Sequence, residues 1–257
     1  MNKKTSWGEV AEWYDDLLSN DPDSYQKNVI LPNLIRLIEP SPKTKILDLA
    51  CGQGYFSIAF GKMNAKVIGC DISKELIEIA KEKSNKEKIS NIEFYSAPSD
   101  KISFIEDKTI DVITIVLAIQ NIENIAGTFA ECSRVLKPDG KLFVVLNHPS
   151  FRIPQRSSWG WDEENKKQYR RIDGYMSEQS QKIDMTPGEI DPSKKKFTIS
   201  FHRPLQQYVK AITKAGLSIN RLEEWISHKE SQAGPRSAEE DRMRKEIPIF
   251  MCLECWR

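Results

Sequence analysis

The chain has 257 residues, with 38 Lys and Arg against 37 Asp and Glu for a formal net charge of +1, so no global field gathers nucleic acid or coats a membrane, and the expected partner is a small molecule. That length buries one generous core, which favours a single α/β domain over residues 1–257 carrying an insertion. No apolar run approaches the roughly 18 residues of a membrane span, nothing resembles a signal peptide, and five cysteines are an odd number, so the expectation is a cytoplasmic protein with reduced thiols.

Residues 6–15 concentrate the aromatic side chains Trp7, Trp13 and Tyr14 before the periodic pattern begins. They read either as a helix covering the core or as a lid, and residues 1–40 are assigned to an N-terminal helical lid. Apolar positions from Val29 to Ile38 fall at helical spacing, with Pro32 starting or kinking the helix and Pro40-Ser41-Pro42 ending it. Ile46 to Ala50 reads as a buried parallel strand, and Cys51-Gly52-Gln53-Gly54 as the tight turn that delivers the chain into a helix from Tyr55 to Met63. Two glycines this close to a strand end let a ligand approach the backbone. A dinucleotide fingerprint wants a third glycine where Ser57 stands, and a phosphate loop wants Gly-Lys-Ser/Thr, so a nucleotide-like ligand without a phosphate fits better.

Lys66 to Cys70 reads as the second strand. Asp71 follows it, roughly 20 residues beyond the glycine turn, the interval at which such folds place a ribose-binding acid. Ser73 caps the next helix, whose Leu76, Ile77 and Ala80 share one apolar face. Ile92 to Tyr95 is a third strand. The continuous apolar run from Ile110 to Leu117 is the signature of a central parallel strand, and Gln120 and Asn121 at its carboxyl end either belong to the site or satisfy local backbone groups. Ile125 to Leu136 reads as a helix and Lys141 to Leu146 as a fifth strand, so five strands alternate with helices in a doubly wound sheet.

Residues 149–203 are too long for an ordinary loop and form an insertion after the fifth strand. The insertion carries Trp159, Trp161, Tyr169, Tyr175, the basic pairs Lys166-Lys167 and Arg170-Arg171, and a Lys194-Lys195-Lys196 run that reads as a solvated hairpin and leads into an alternating strand from Phe197 to Phe201. Two of the three histidines, His148 and His202, bracket it at proline-marked turns, and His228 reads as surface. Leu205 to Ala215 is a helix returning to the sheet, stopped by Gly216. Leu217 to Trp225 and Ile247 to Trp256 are two further strands, and the charged segment from Ser227 to Glu246 between them reads as a mobile loop. Cys252 and Cys255, three apart on a strand, point to opposite faces, so the pair reads as structural and no metal site is expected.

The stretch Leu47-Asp48-Leu49-Ala50-Cys51-Gly52-Gln53-Gly54 resembles the first motif of class I S-adenosylmethionine-dependent methyltransferases. The likeness continues at Val67-Ile68-Gly69-Cys70-Asp71-Ile72-Ser73 and reappears at Arg134-Val135-Leu136-Lys137-Pro138-Asp139-Gly140-Lys141-Leu142, similar to the turn before that family's fifth strand. Together these cover roughly residues 40 to 150. The resemblance, to the type 11 and type 25 small-molecule branch, implies a Rossmann-like, doubly wound seven-stranded sheet whose antiparallel seventh strand lies between the fifth and sixth. The insertion after strand five then forms the cover over the acceptor. S-adenosyl-L-methionine is the cofactor that the resemblance implies. The loop of Ala50, Cys51, Gly52 and Gly54 would lie along its methionine part, Asp48 near its amino group and Asp71 at its ribose hydroxyls. Tyr55, Ile72 and Leu117 are further cofactor-binding positions, and Tyr14 would close over the site from an Ala-x-x-Tyr-Asp-like segment. The adenine contact falls at Pro98 and Ser99, where the family's usual Asp-Ala pair is absent.

Methyl transfer from a sulfonium requires donor and acceptor about 3 Å apart with water excluded. A base is needed only where the acceptor must lose a proton. His148 is the candidate base, His202 and Tyr169 are candidate positioning groups, and Arg152 and Arg171 could pair with an acidic substrate. The leading expectation is a small-molecule methyltransferase. The alternatives are an RNA or tRNA methyltransferase, whose binding through the basic insertion would depend strongly on salt, and a non-catalytic S-adenosylmethionine-binding protein.

Overall fold

The computed structural model describes residues 7–8, 21–186, 188–191, 193 and 195–257. A π-helical turn, Gln26–Ile30, runs directly into helix α1, Leu31–Ile38. Pro32 sits in the first turn of α1, where a missing N–H costs nothing. Strand β1 (Lys45–Leu49), helix α2 (Tyr55–Lys62), β2 (Lys66–Asp71), α3 (Lys74–Lys86), β3 (Ile92–Ser96), β4 (Ile110–Val116), α4 (Ile125–Val135) and β5 (Leu136–Asn147) then alternate. Four strands follow in pairs, β6 (Ser157–Asp162) with β7 (Lys167–Ile172) and β8 (Gln179–Asp184) with β9 (Phe197–His202). The chain continues through α5 (Leu205–Lys214), β10 (Ser218–Trp225), α6 (Ser237–Glu246) and β11 (Phe250–Trp256).

The main sheet has seven strands in the order β10-β11-β5-β4-β1-β2-β3. β11 runs antiparallel to both of its neighbours, and the pairs β1–β2, β2–β3, β1–β4 and β4–β5 are parallel. This is the Rossmann-like order expected, with the last strand inserted between the fifth and sixth of the sheet. The chain leaves β1 toward β2 and β3, then returns to the other side of β1 as β4. That reversal opens a crevice at the carboxyl ends of β1 and β4.

Residues of alternate parity along the central strands feed two cores. Leu47, Leu49, Ile113, Ile115, Val144 and Leu253 pack with Phe129 and Cys132 of α4 and Tyr208 and Ile212 of α5. Ile46, Val67, Val112, Phe143 and Val145 pack on the opposite face with Leu34, Phe56 and Phe60. Each fully buried side chain of this kind contributes about 1.5–3 kcal/mol. Cys252 belongs to the second core and Cys255 to the first, on opposite faces of β11, and the cysteines are free thiols.

Two segments differ from the sequence reading. The insertion is folded into two antiparallel hairpins, β6–β7 and β8–β9, where one strand over 197–201 was expected. The segment read as a mobile loop contains helix α6. Its pattern hid it: α6 buries Met243 and is otherwise polar, with Arg242–Glu239 and Arg244–Asp241 ion pairs one turn apart. α6 props the first hairpin, since Glu239 accepts the Gln168 N–H and the preceding Arg236 lies 4.5 Å from the Trp161 ring centroid.

Candidate active site

The turn after β1 is built on left-handed backbone. Ala50 has φ 58°, Gly52 φ 56° and Gly54 φ 81°. The Cys51 N–H donates to the Cys70 carbonyl, which ties the turn to β2. The two glycines serve different ends. A Cβ on Gly52 would meet nothing within 4 Å, so this residue presents bare backbone to open space. A Cβ on Gly54 would stand 3.0 Å from that of Ala80 and 3.1 Å from the Phe94 ring, so this glycine lets α2 start close against α3 and β3. Leu117, at the end of β4, is also left-handed, with φ 53°. Both strands flanking the crevice thus end on a non-glycine residue in a costly conformation, and such strain concentrates at functional sites.

Asp48 lies under the turn, only 1% exposed, and accepts the hydroxyls of Ser57 at 2.6 Å and Thr114 at 2.9 Å. Burial pushes its carboxyl up to about 6, against the opposing effect of those two hydroxyls. Ser57, which stands where a dinucleotide fold has its third glycine, is therefore the partner of the motif's own acid. Asp71 ends β2 with one carboxylate oxygen on the Gly52 N–H and the other on the Ser73 N–H, each at 2.9 Å. Burial raises its carboxyl as well, and the backbone N–H donors work against that. Each of its oxygens keeps a lone pair for a ligand hydroxyl.

These groups line an open cleft of about 120 Å³. Its wall includes Asp48, Ala50, Cys51, Gly52, Tyr55, Asp71, Ile72 and Leu117, all expected from the sequence. Gln53, Phe56, Leu76, Asn121, Gln26 and Trp7 join them. Of these, Gln53 lies inside the motif and Asn121 was read as equally at home in local bonding. Leu76 reads from the sequence as part of its helix's apolar face, and Phe56 only as a position in the helix from Tyr55 to Met63. A side cavity of about 290 Å³ continues from Ala50, Asp71 and Ile72 to Ala97, Pro98 and Ser99. The Ser99 hydroxyl is shared with that of Thr128 at 2.8 Å.

On the other side the cleft shares Trp7, Gln26, Leu117 and Asn121 with a second lobe of about 460 Å³. Residues of the insertion form much of its wall, namely Arg152, Ile153, Pro154, Ser157 and Arg170 from the loop and first hairpin and Ile183, Met185, Thr198 and Ser200 from the second. A small cavity beside it, lined by His202 and Arg203, shares Gln120, Asn147, Arg152, Pro154 and Ser200 with the lobe.

The acceptor-side candidates fall in separate places. His148 is 4% exposed and is not part of the cleft wall. Its Nδ1 accepts the Ser150 N–H at 3.2 Å, which leaves the proton on Nε2, 2.7 Å from Glu224 Oε1. Burial lowers its imidazole from the usual value, and Glu224 works the other way. Held so, His148 has no nitrogen free for an acceptor, and it shapes the turn that carries Arg152, whose N–H bonds the His148 carbonyl. His202 borders the small cavity and donates from Nε2 to the Tyr175 carbonyl at 2.7 Å. Tyr169 is 48% exposed, packs over Gly160 and stands away from the cleft. Arg171 pairs with Asp173 at 2.8 Å, while its neighbour Arg170 faces the lobe. Tyr14 lies outside the described residues.

Two buried acids and a bare glycine backbone suit the ammonium, ribose hydroxyls and sulfonium-bearing chain of S-adenosylmethionine, so the residues present fit that cofactor. Residues 47–144 match the family model described as "Methyltransferase domain". A demethylmenaquinone methyltransferase from Chlorobaculum parvum is 33% identical over 146 residues, 55% of this chain and 58% of that protein. A ubiquinone/menaquinone biosynthesis C-methyltransferase from Francisella philomiragia is 38% identical over 105 residues, 39% of this chain and 42% of that one. The chain thus spans little more than half the length of the curated relatives it matches. Among solved structures, an S-adenosylmethionine-dependent methyltransferase from Mesorhizobium loti superposes with TM-score 0.68 at 22% identity, covering 88% of this chain and 96% of that one. One from Listeria monocytogenes gives 0.64 at 24% identity, covering 87% and 97%; at these identities the likeness is one of fold. Motif, acids and strand order agree, and residues 47–144 are a class I methyltransferase domain, of the family whose cofactor is S-adenosyl-L-methionine.

Proposed function

We propose that the protein transfers a methyl group from S-adenosylmethionine to a small-molecule acceptor. The observation that carries this reading is the junction of two lobes at Leu117 and Asn121, one walled by the turn after β1 and its acids, the other by the insertion. Bound in the first lobe, the cofactor supplies a methyl carbon that an acceptor nucleophile takes in line, the S–CH₃ bonding pair staying on sulfur as a thioether. Asp71 would hold the ribose hydroxyls, the Gly52 backbone would lie along the aliphatic chain, and Asp48 would orient the amino group. Ile72 and Pro98 offer apolar surface for the adenine. Trp7 and Gln26 wall both lobes and help to exclude water where they meet. His202 is the positioning residue on the acceptor side, through the cavity that adjoins the lobe.

A small acceptor is favoured over RNA by the charges of the insertion. Lys166 pairs with Glu163, Arg171 with Asp173, Lys195 with Asp184, and Arg236 of the adjoining segment with Glu163. These cations are offset locally and do not form a free basic stripe to track a phosphate backbone. Quinone-pathway relatives act by their names on small molecules, which supports the same choice. Incubation with labelled S-adenosylmethionine and, separately, a panel of small phenols, quinols and acids or bulk RNA tests the reading. Label in a small product supports it, and label only in RNA, falling steeply with salt, overturns it.

A further inference from the structure

The two lobes carry opposite charge. The wall of the cofactor lobe includes Asp48 and Asp71, whereas no Asp or Glu lines the acceptor lobe or its adjoining cavity among the described residues. Three arginines line those walls instead. Arg152 stands in both cavities, and its guanidinium has no hydrogen-bond or carboxylate partner among the described residues. Arg170 is held in place by neutral groups alone, donating from Nε to the Phe151 carbonyl at 2.8 Å and from one terminal nitrogen to the Ser157 hydroxyl at 2.7 Å, with its guanidinium carbon 5.0 Å from the Trp159 ring centroid. Arg203 is 7% exposed, reaches the Glu123 carbonyl at 2.8 Å, and keeps its other terminal nitrogen buried without a partner.

Burying guanidinium groups together without a counter-ion is unfavourable, because each loses hydration and each repels the next. Arg170 is half-buried and Arg152 keeps solvent contact, yet both guanidiniums lose hydration against the wall of the lobe, which pushes both down, and the charge of Arg152 pushes Arg170 further. Most other described arginines sit against carboxylates, as Arg134 does with Glu131 and Asp107 and Arg36 with Glu223. In the lobe three arginines without a carboxylate gather at one place, and it is where an acceptor must lie. A planar guanidinium presents paired donors that match a carboxylate or phosphate.

We propose that the acceptor is a small molecule carrying a carboxylate or phosphate, which Arg152, with Arg170 beside it, holds where the lobe and the adjoining cavity meet. The apolar body of the acceptor lies against Ile153, Ile183 and Met185. This rests on reading the neighbouring lobe as the cofactor site. Arg203, buried behind the same cavity, adds positive potential and fixes the wall.

The test is calorimetric titration of the protein saturated with S-adenosylhomocysteine, using benzoate, phenyl phosphate and the neutral isostere benzamide. Benzoate or phenyl phosphate binds and benzamide does not, and whichever anion binds more tightly identifies the acidic group. Arg152→Gln weakens the bound anion by at least about tenfold, Arg152→Lys keeps part of the affinity, and both variants bind S-adenosylhomocysteine within about twofold of the parent. Arg152 is solvent-accessible, so neither substitution strips the core. Equal binding of benzamide and benzoate, or an anion affinity unchanged in Arg152→Gln, overturns the proposal. So does failure of both anions to bind protein that still takes up S-adenosylhomocysteine, which leaves the cofactor lobe standing. Failure of S-adenosylhomocysteine itself is the separate failure of the underlying reading.

Discussion

Raising the pH from about 5 to about 7 should tighten the binding of S-adenosylhomocysteine roughly tenfold, and the cause is Asp48. In the free protein burial lifts this carboxyl to about 6, so near pH 5 most of it is protonated and neutral. A ligand ammonium beside it favours the ionised form and returns it toward the ordinary carboxylate range near about 4. Linkage then gives the size: at a pH one unit below the free pKa about nine molecules in ten must lose a proton to bind, and at one unit above almost none must. The same shift runs the other way for the free fold. A carboxyl raised in the folded state contributes stability that is present below its unfolded value, 3.8, and is lost as pH rises through about 6. That loss amounts to about 3 kcal/mol. Asp48→Asn is a clean control, because both partners, Ser57 and Thr114, are hydroxyls that can accept as well as donate. Asp71 is shifted in the same direction, so the substitution flattens part of the profile and not all of it. Titration of both proteins by calorimetry across this range decides the matter. Identical pH profiles for the parent and Asp48→Asn would refute the reasoning.

Three further outcomes follow from the same geometry. Ser57→Ala removes the shorter of the two hydrogen bonds on Asp48 and should move the midpoint of that binding profile to higher pH; a midpoint unmoved or lowered would show that the bond does not hold the ionised form. Gly54→Ala should cost about 1–3 kcal/mol, since it adds left-handed strain to a 3.0 Å approach to Ala80, and Gly52→Ala should cost less stability yet weaken S-adenosylhomocysteine. Thermal unfolding and calorimetry on the pair separate the two roles, and equal losses in both assays would show that the distinction is wrong. His148, whose imidazole is lowered by burial, contributes stability present above its unfolded value of 6.5 and lost as pH falls below it. His148→Gln should blunt that acid-side loss in a melting series, and an unchanged series would place the acid sensitivity elsewhere.

The parts of the site that local pattern specifies were legible from the chain alone. Ile46 to Gly54 encodes a buried strand and a left-handed turn within nine positions, and Asp71 is marked by its place after an apolar run. Gly54 shows the limit: its spacing suggested ligand approach, but the contact that requires glycine is with Ala80 and Phe94, far off in sequence. The acceptor side was less legible for a similar reason. Along β7 exposure alternates, and a one-residue register decides whether Arg170 or Arg171 faces the lobe. That register is set by pairing with β6, including Trp159 opposite Arg170. His148 carried a signal of position only, at a strand end facing the crevice, and its ring is held by Glu224 from β10 and by Ser150. Helix α6 left no periodic trace because one buried side chain makes no stripe.

The measurement that bears most directly on the central claim is calorimetric titration of the protein with S-adenosylhomocysteine and, separately, with NAD, repeated on Asp71→Ala. The account predicts saturable binding of S-adenosylhomocysteine alone, weakened at least about tenfold by the substitution, because the ribose hydroxyls lose a charged acceptor and the Gly52 N–H loses the partner that holds the turn. Binding of NAD alone, or an affinity for S-adenosylhomocysteine indifferent to Asp71, would contradict it.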